Sequence, residues 1–254
     1  LIMYNYKITL SYDGGGFAGW QKQGNAENTV QGKLEAVACR LAGCTVDING
    51  AGRTDAGVHA LGQVANFKLK HYVPEKTVQE YFNRYLPETI CVNSVELADE
   101  RFHARLSAMS KTYMYNIDIN DAGVRDVFMR KYAYNYDKKL DMNTLSDAAG
   151  RLCGEHDFAG FCTKAPKNKS TLRRLFSVRV EESEARKNII KIFFTGSGFL
   201  YNQVRIMVGT LLEIGAGEKG PETIEEIFDI RERAIAGFTA PPQGLFLYSV
   251  EYKV

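Results

Sequence analysis

The order in which the hydrophobic period changes over residues 4–97 limits the fold more than any other feature. Tyr6, Ile8, Leu10 and Tyr12 alternate with Lys7, Thr9 and Ser11, the period of a strand with one buried face. Val30, Leu34, Val37, Ala38 and Leu41 then recur at helical spacing behind a capping Asn28 or Thr29. Cys44 to Ile48 alternates like a strand, and Leu61 to Leu69 reads as another, with Val64, Phe67 and Leu69 apolar. Pro74 to Leu86 carries the helical stripe Val78, Tyr81, Phe82, Tyr85 and Leu86, and Ile90 to Leu97 closes the series as a strand. Strand, helix, strand, strand, helix, strand is the ferredoxin-like arrangement, which RNA-recognition modules also use.

The rest of the chain repeats a strand–helix–strand theme with longer connections. Ser110 to Ile117 reads as a strand with Tyr113, Tyr115 and Ile117 on one face, and Phe128 to Tyr134 as a strand or extended piece. A helix opens at Asp141 or Asn143, with Leu145, Ala148, Ala149 and Leu152 inward, and Gly154 to Phe158 ends it. His156 reads as a helix-end or buried structural histidine. Leu175–Val180 and Ile189–Thr195 are strands around an acidic hairpin. Leu200, Val204, Met207, Val208, Leu211 and Leu212 form a helix face with Arg205 beside it. A last helix is expected from Pro221 to Ala234, before a closing strand. The expected division is 1–105 and 106–254.

Chemistry concentrates in Gly50-Ala51-Gly52-Arg53-Thr54-Asp55-Ala56-Gly57-Val58-His59-Ala60. A guanidinium, a carboxylate and an imidazole share this stretch with three glycines, which suit tight turns and close backbone approach. From residue types alone it reads either as a turn whose Asp caps the backbone or as a site on a strand-to-strand loop. Net charge is only +2, so a nucleic-acid surface would need locally gathered charge. The densest gathering is Lys164, Lys167, Lys169, Arg173 and Arg174, with no acid among residues 164–174. Such a run is either a solvated loop or a phosphate-contacting one. The cysteine count is odd, at five, and no C-x-x-C pair occurs. That speaks against a disulfide framework and a zinc site, and for a reducing cytoplasmic setting. No membrane-length apolar run and no secretory leader are expected.

Gly52-Arg53-Thr54-Asp55-Ala56-Gly57-Val58-His59-Ala60 resembles the catalytic-loop signature of the TruA family, the tRNA pseudouridine synthase I enzymes. Further segments resemble the same family: Ser11-Tyr12-Asp13-Gly14 through Gln23, Thr29 to Glu35, Phe102-His103-Ala104-Arg105 with Lys111-Thr112-Tyr113-Met114-Tyr115, Gly154 to Phe158, Phe199-Leu200-Tyr201-Asn202-Gln203-Val204-Arg205, and Ala240 to Leu247. The resemblance implies an α+β fold. Two ferredoxin-like, RRM-like halves join into one extended, mainly antiparallel sheet with helices on one side, the pseudouridine synthase fold. It implies an isomerase that converts uridine to pseudouridine at positions 38, 39 and 40 of the tRNA anticodon stem-loop and works as a cytoplasmic homodimer.

Residue by residue, the resemblance makes Asp55 the catalytic carboxylate, a nucleophile. Arg53 helps to flip the nucleotide, Tyr113 stacks on the target base and Arg205 pairs with Asp55. Lys111, Lys164, Lys167, Lys169 and Arg173 are candidate RNA contacts. The reaction needs no cofactor and no metal: a carboxylate, a cation to keep it ionised, an aromatic ring and a group to fill the gap left by the flipped base are enough. Two alternatives are a uracil glycosidase that uses Asp55 to activate water and a non-catalytic RNA-binding module.

Overall fold

The computed structural model describes residues 3–22, 28–119, 126–163 and 170–253. The chain packs as two compact units, Leu1–Met109 with Phe246–Val254, and Ser110–Leu245. The division expected from sequence kept residues 246–254 with the second half; in the structure that closing segment packs with the first unit.

In the first unit the elements are β1 (Tyr4–Tyr12), α1 (Val30–Ala42), β2 (Asn49–Gly50), β3 (His59–Leu69), α2 (Glu75–Tyr85) and β4 (Ile90–Ala98). β1 lies between β4 and β3, antiparallel to both. β2 takes the other edge of β3 through Asn49↔Asn66 and Gly50↔Ala65. This is the ferredoxin-like strand order. The last strand, β10 (Leu245–Tyr252), adds parallel pairing at the end of that edge, Phe246↔His59 and Leu247↔Ala60. Tyr6, Ile8, Leu10 and Tyr12 are buried as their alternation requires, with Leu34, Val37 and Ala38 of α1 and Val78 and Phe82 of α2. Thr29 caps α1 by accepting from the Gly32 amide, and Gly43 ends it in the left-handed region.

Two expectations fail in this unit. Cys44–Ile48 is not a strand: ladder pairing is confined to Asn49–Gly50. Its alternation is real, since Val46 and Ile48 are buried, but side chains of α1 satisfy the backbone instead. Cys39 Sγ accepts from the Val46 amide, and Gln31 donates to the Ile48 carbonyl at 3.0 Å. Tyr85 belongs to no core stripe. It is 43% exposed, meets the Tyr81 ring at a tilt and lies under the Arg40 guanidinium.

The second unit holds β5 (Ala108–Ile119), β6 (Tyr134–Tyr136), α3 (Met142–Arg151), β7 (Gly154–Asp157), β8 (Leu172–Ser183), β9 (Arg186–Gly196), α4 (Gln203–Gly215) and α5 (Thr223–Ile230). β5, β9, β8 and β7 are antiparallel neighbours in that order, and β6 runs parallel to β5. Tyr113, Tyr115 and Ile117 are buried, as are their β9 partners Phe194, Ile192 and Ile190. α4 is buried on nearly all sides, which accords with its continuous apolar run.

The segment expected to be extended, Phe128–Tyr134, is turns up to Ala133. Asp126 Oδ1 accepts from the Phe128 and Met129 amides and turns the chain, leaving strand only over Tyr134–Tyr136. Gly154 to Asp157 forms a strand rather than a helix end, with His156 stacked on Phe228 at 4.1 Å. The last helix stops at Ile230, because Arg231 turns into the left-handed region at φ 63° and closes the last turn onto Ile227.

Candidate active site

The loop from Ala51 to Val58 hangs between β2 and β3, and buried polar side chains of the neighbouring strands fix its shape. Gln63, fully buried on β3, clamps Gly52 from both sides: its Nε2 donates to the Gly52 carbonyl at 2.8 Å and its Oε1 accepts from the Gly52 amide. The Tyr12 hydroxyl lies 2.7 Å from Thr54 Oγ1. Burial pushes that hydroxyl up to about 12, while the hydrogen bonds from Thr54 and Gln63 pull the other way. The Trp20 amide donates to the Thr54 carbonyl at 3.0 Å. Gly19 presses on the same backbone: at φ 98° it sits where side chains are rare, and a Cβ there would lie 2.7 Å from the Thr54 carbonyl oxygen and 3.2 Å from the Asp55 carbonyl carbon. Asp55 itself is half-buried and its carbonyl accepts from the Val58 amide. Arg53 is exposed.

His59 ends the loop as a structural residue. It is buried and stacked on Phe246 at 4.7 Å. Its Nδ1 is 3.0 Å from the Gly14 amide and 3.1 Å from Asp13 Oδ1, and one nitrogen cannot accept from the first and donate to the second. Asp13 Oδ1 already accepts from the Gly15 amide, whereas the buried Gly14 amide needs an acceptor. We therefore assign Nδ1 as unprotonated. Below the loop, Ala51 packs with Val64 and Ala104 under Phe102, Val250 and Tyr252. A cavity of about 760 Å³ lined by Asn49, Asn66, Lys68, Arg101 and His103 lies in this unit, and neither Arg53 nor Asp55 borders it.

In the second unit, Tyr113 of β5 is 7% exposed and meets Phe199 edge-on, ring centroids 5.0 Å apart. Phe199 precedes α4, whose third residue is Arg205. Arg205 Nε donates to the Ala240 carbonyl at 2.6 Å, and Nη1 donates to Asn202 Oδ1 at 3.0 Å. The Ala240 amide returns a bond to the Arg205 carbonyl. Next to it, the Tyr115 hydroxyl donates to the Pro241 carbonyl at 2.7 Å. Burial raises the Tyr115 hydroxyl well above its usual value, with the Arg205 charge acting the other way. Gly244 leaves room for that ring, since a Cβ would come 2.7 Å from it.

Of the RNA-contact candidates, Lys111 is half-buried on β5 beside Gly196. Arg173 is half-buried on β8, where its Nη1 donates to the Ser170 and Leu172 carbonyls. Burial lowers its guanidinium from the usual value. Lys164, Lys167 and Lys169 lie outside the described residues. Sequence reasoning missed the supports: Gln63, Thr54, Asn202 and the Ala240 carbonyl. Thr54, Asn202 and Ala240 stood inside the family-like segments, though nothing there marked them as supports; Gln63 stood outside them all. Among the described residues there is no cluster of three or more His, Cys, Asp or Glu placed to hold a metal, and no helix is long and apolar enough to cross a membrane.

A family model described as tRNA pseudouridine synthase matches residues 8–106 and 148–253. A tRNA pseudouridine synthase A of Bacillus sp. (strain KSM-64) is 46% identical over 250 residues, covering 98% of this chain and 100% of the relative. One from Geobacillus sp. (strain WCH70) is 41% identical over 247 residues, covering 97% of each. One from Limosilactobacillus reuteri is 38% identical over 253 residues, covering 98% of this chain and 97% of the relative. With matches that run across both units and take in the Asp55 loop and the Arg205 helix, the chain belongs to the tRNA pseudouridine synthase family.

Proposed function

We propose that the protein isomerises uridine to pseudouridine in tRNA, at positions 38, 39 and 40 of the anticodon stem-loop. Asp55 is the catalytic carboxylate and nucleophile, and Arg205 is the cation that keeps it ionised. Tyr113 is the ring against the target base, and Arg53 fills the space that the base vacates. The observation that carries this reading is the investment in one loop: Gln63, Tyr12 and Trp20 hydrogen-bond Gly52 and Thr54 just before Asp55, and only a glycine at position 19 leaves room for the Thr54–Ala56 backbone. A mere turn needs none of them.

Chemically, the N1–C1′ bond of uridine breaks, the detached base rotates, a C5–C1′ bond forms, and the hydrogen on C5 leaves as a proton. A carboxylate that attacks carbon and later departs serves this without any net redox change. Flipping the nucleotide costs a few kcal/mol of unstacking, which Arg53, exposed on the loop, is suited to offset. We further propose a cytoplasmic homodimer that grips one tRNA with both subunits, and RNA contacts from Lys111, Lys164, Lys167, Lys169 and Arg173.

The test uses tRNA tritiated at uridine C5 and counts label released to water. Wild type should release label, and Asp55→Asn should release none while binding tRNA as tightly, because Asn keeps the size of Asp and loses only the nucleophile. Release by Asp55→Asn at the wild-type rate would make Asp55 a turn residue. Label recovered on free uracil would instead reveal a glycosidase.

A further inference from the structure

The start of α4 departs from the usual helix N-terminus in a way that concerns Arg205. The residue before a helix is normally extended, with its side-chain oxygen accepting an amide of the first turn. Asn202 does neither. Its backbone is left-handed, φ 59° and ψ 6°, and its side chain caps no amide. Asn202 and Arg231 are the non-glycine residues with positive φ among the described residues, and Asn is one of the few side chains that tolerates that region.

The side chain is committed elsewhere. Asn202 Oδ1 accepts from Arg205 Nη1 at 3.0 Å, and Asn202 Nδ2 donates to Thr163 Oγ1 at 3.2 Å. A guanidinium has donors only, so the amide oxygen must face it. That turns the amide nitrogen to the threonine hydroxyl, which is suited to accept. Thr163 thereby braces the amide in the orientation that Arg205 requires. On its other side the guanidinium is held through Nε by the Ala240 carbonyl.

We propose that Asn202 is a positioning residue for Arg205, with Thr163 bracing its amide, so that the guanidinium is held in one plane for the role given to it above. The proposal rests on the roles given above to Arg205 and Asp55. An unheld arginine spreads over many rotamers, whereas one clamped at Nε and Nη1 keeps its planar fork aimed. The left-handed backbone at residue 202 is what the helix start gives up for that clamp.

The test is a double-mutant cycle in the tritium-release assay, with tRNA binding and thermal unfolding measured alongside. Asn202→Gly suits the left-handed backbone and deletes the clamp. It should lower kcat about tenfold, the scale of one hydrogen bond to a charged group, with tRNA affinity unchanged. In an Arg205→Lys background, which has no planar fork to aim, the same change should cost less than about twofold, because the two losses are one interaction. Thr163→Val should lower kcat by a smaller factor and Thr163→Ser should restore it. This pair reads the same cycle at an exposed position if Asn202→Gly unfolds.

Wild-type kcat in Asn202→Gly, or equal losses in both backgrounds, would overturn the proposal. If Arg205→Leu is inactive while Asn202→Gly is fully active, this proposal alone falls. If Arg205→Leu is fully active, the reading of Arg205 falls and takes this proposal with it.

Discussion

The Asp55 loop and the Arg205 mount solve the same problem by opposite means. The Asp55 loop is fixed at the residues that lead into it: Gln63 grips Gly52, Tyr12 meets the Thr54 hydroxyl, Trp20 bonds the Thr54 carbonyl, and Gly19 leaves room for the backbone from Thr54 to Ala56. Arg205 sits on a helix that already fixes its backbone, and its side chain is held instead, by Asn202 and Ala240. The difference follows from side-chain length. A carboxylate one carbon from Cβ goes where its backbone goes, whereas a guanidinium at the end of a flexible stem carries about 2 kcal/mol of rotamer entropy and must be tied at its own nitrogens. A short side chain calls for a rigid loop, and a long one for a clamp.

The comparison breaks first at Arg205. Arg205→Leu should lower kcat at least about a hundredfold, the scale of removing one partner of a partly buried charge pair. α4 should keep its thermal transition, because Leu suits a helix flanked by Val204 and Ile206. Arg205→Lys keeps charge without the fork and should recover only part of the rate. A Leu variant at the wild-type rate would leave the clamp without a purpose.

A smaller loss is expected from the loop. In Gly19→Ala the new Cβ meets the Thr54 and Asp55 backbone, and the left-handed φ adds strain. Overpacking of this kind costs about 1–3 kcal/mol, which thermal unfolding would register. kcat should fall with it, because the displaced backbone carries Asp55. Lost stability with full activity would show that the loop tolerates movement and that the backbone does not aim Asp55.

The smallest effect concerns Tyr12. Its hydroxyl titrates at about 12 against a usual 10.0, so the unfolded chain gives up this proton first. Its contribution is complete below pH 10 and is lost as pH rises through about 12. At about 1.4 kcal/mol per pH unit the loss across this window is on the order of 2 kcal/mol. Denaturant unfolding of Tyr12→Phe should show a shallower alkaline decline than wild type, with somewhat lower stability near neutrality from the missing Thr54 bond. An unchanged alkaline slope would mean that Tyr12 is not the buried hydroxyl responsible.

Legibility in the sequence followed the range of the interaction. The strands and helices of the first unit could be read because alternation and helical spacing are local. Thr29 and Asp141 each stood as one of two candidate helix starts for the same reason, and the structure makes them the caps. The failures came where a side chain replaced a backbone partner. Cys39 and Gln31 satisfy the segment before β2, and Asp126 turns the segment expected to be extended. Neither leaves a mark in the hydrophobic period. At the site, Asp55, Arg53, Tyr113 and Arg205 stood out through contiguous motifs, but their supports did not. Gln63 is one of several polar residues on β3, beside His59, Asn66 and Lys68, and Ala240 acts through a carbonyl that every residue possesses.

The sequence by itself determined the ferredoxin-like order of the first unit, the family, and which carboxylate and which guanidinium to examine, because periodicity and motif spacing are properties of neighbours along the chain. Tertiary structure alone decided that the closing strand returns to β3, that Tyr12 and Gln63 hold the Asp55 loop, and that the Ala240 carbonyl meets the Arg205 guanidinium. Each of these is a hydrogen bond whose donor and acceptor find each other only after the backbone has folded.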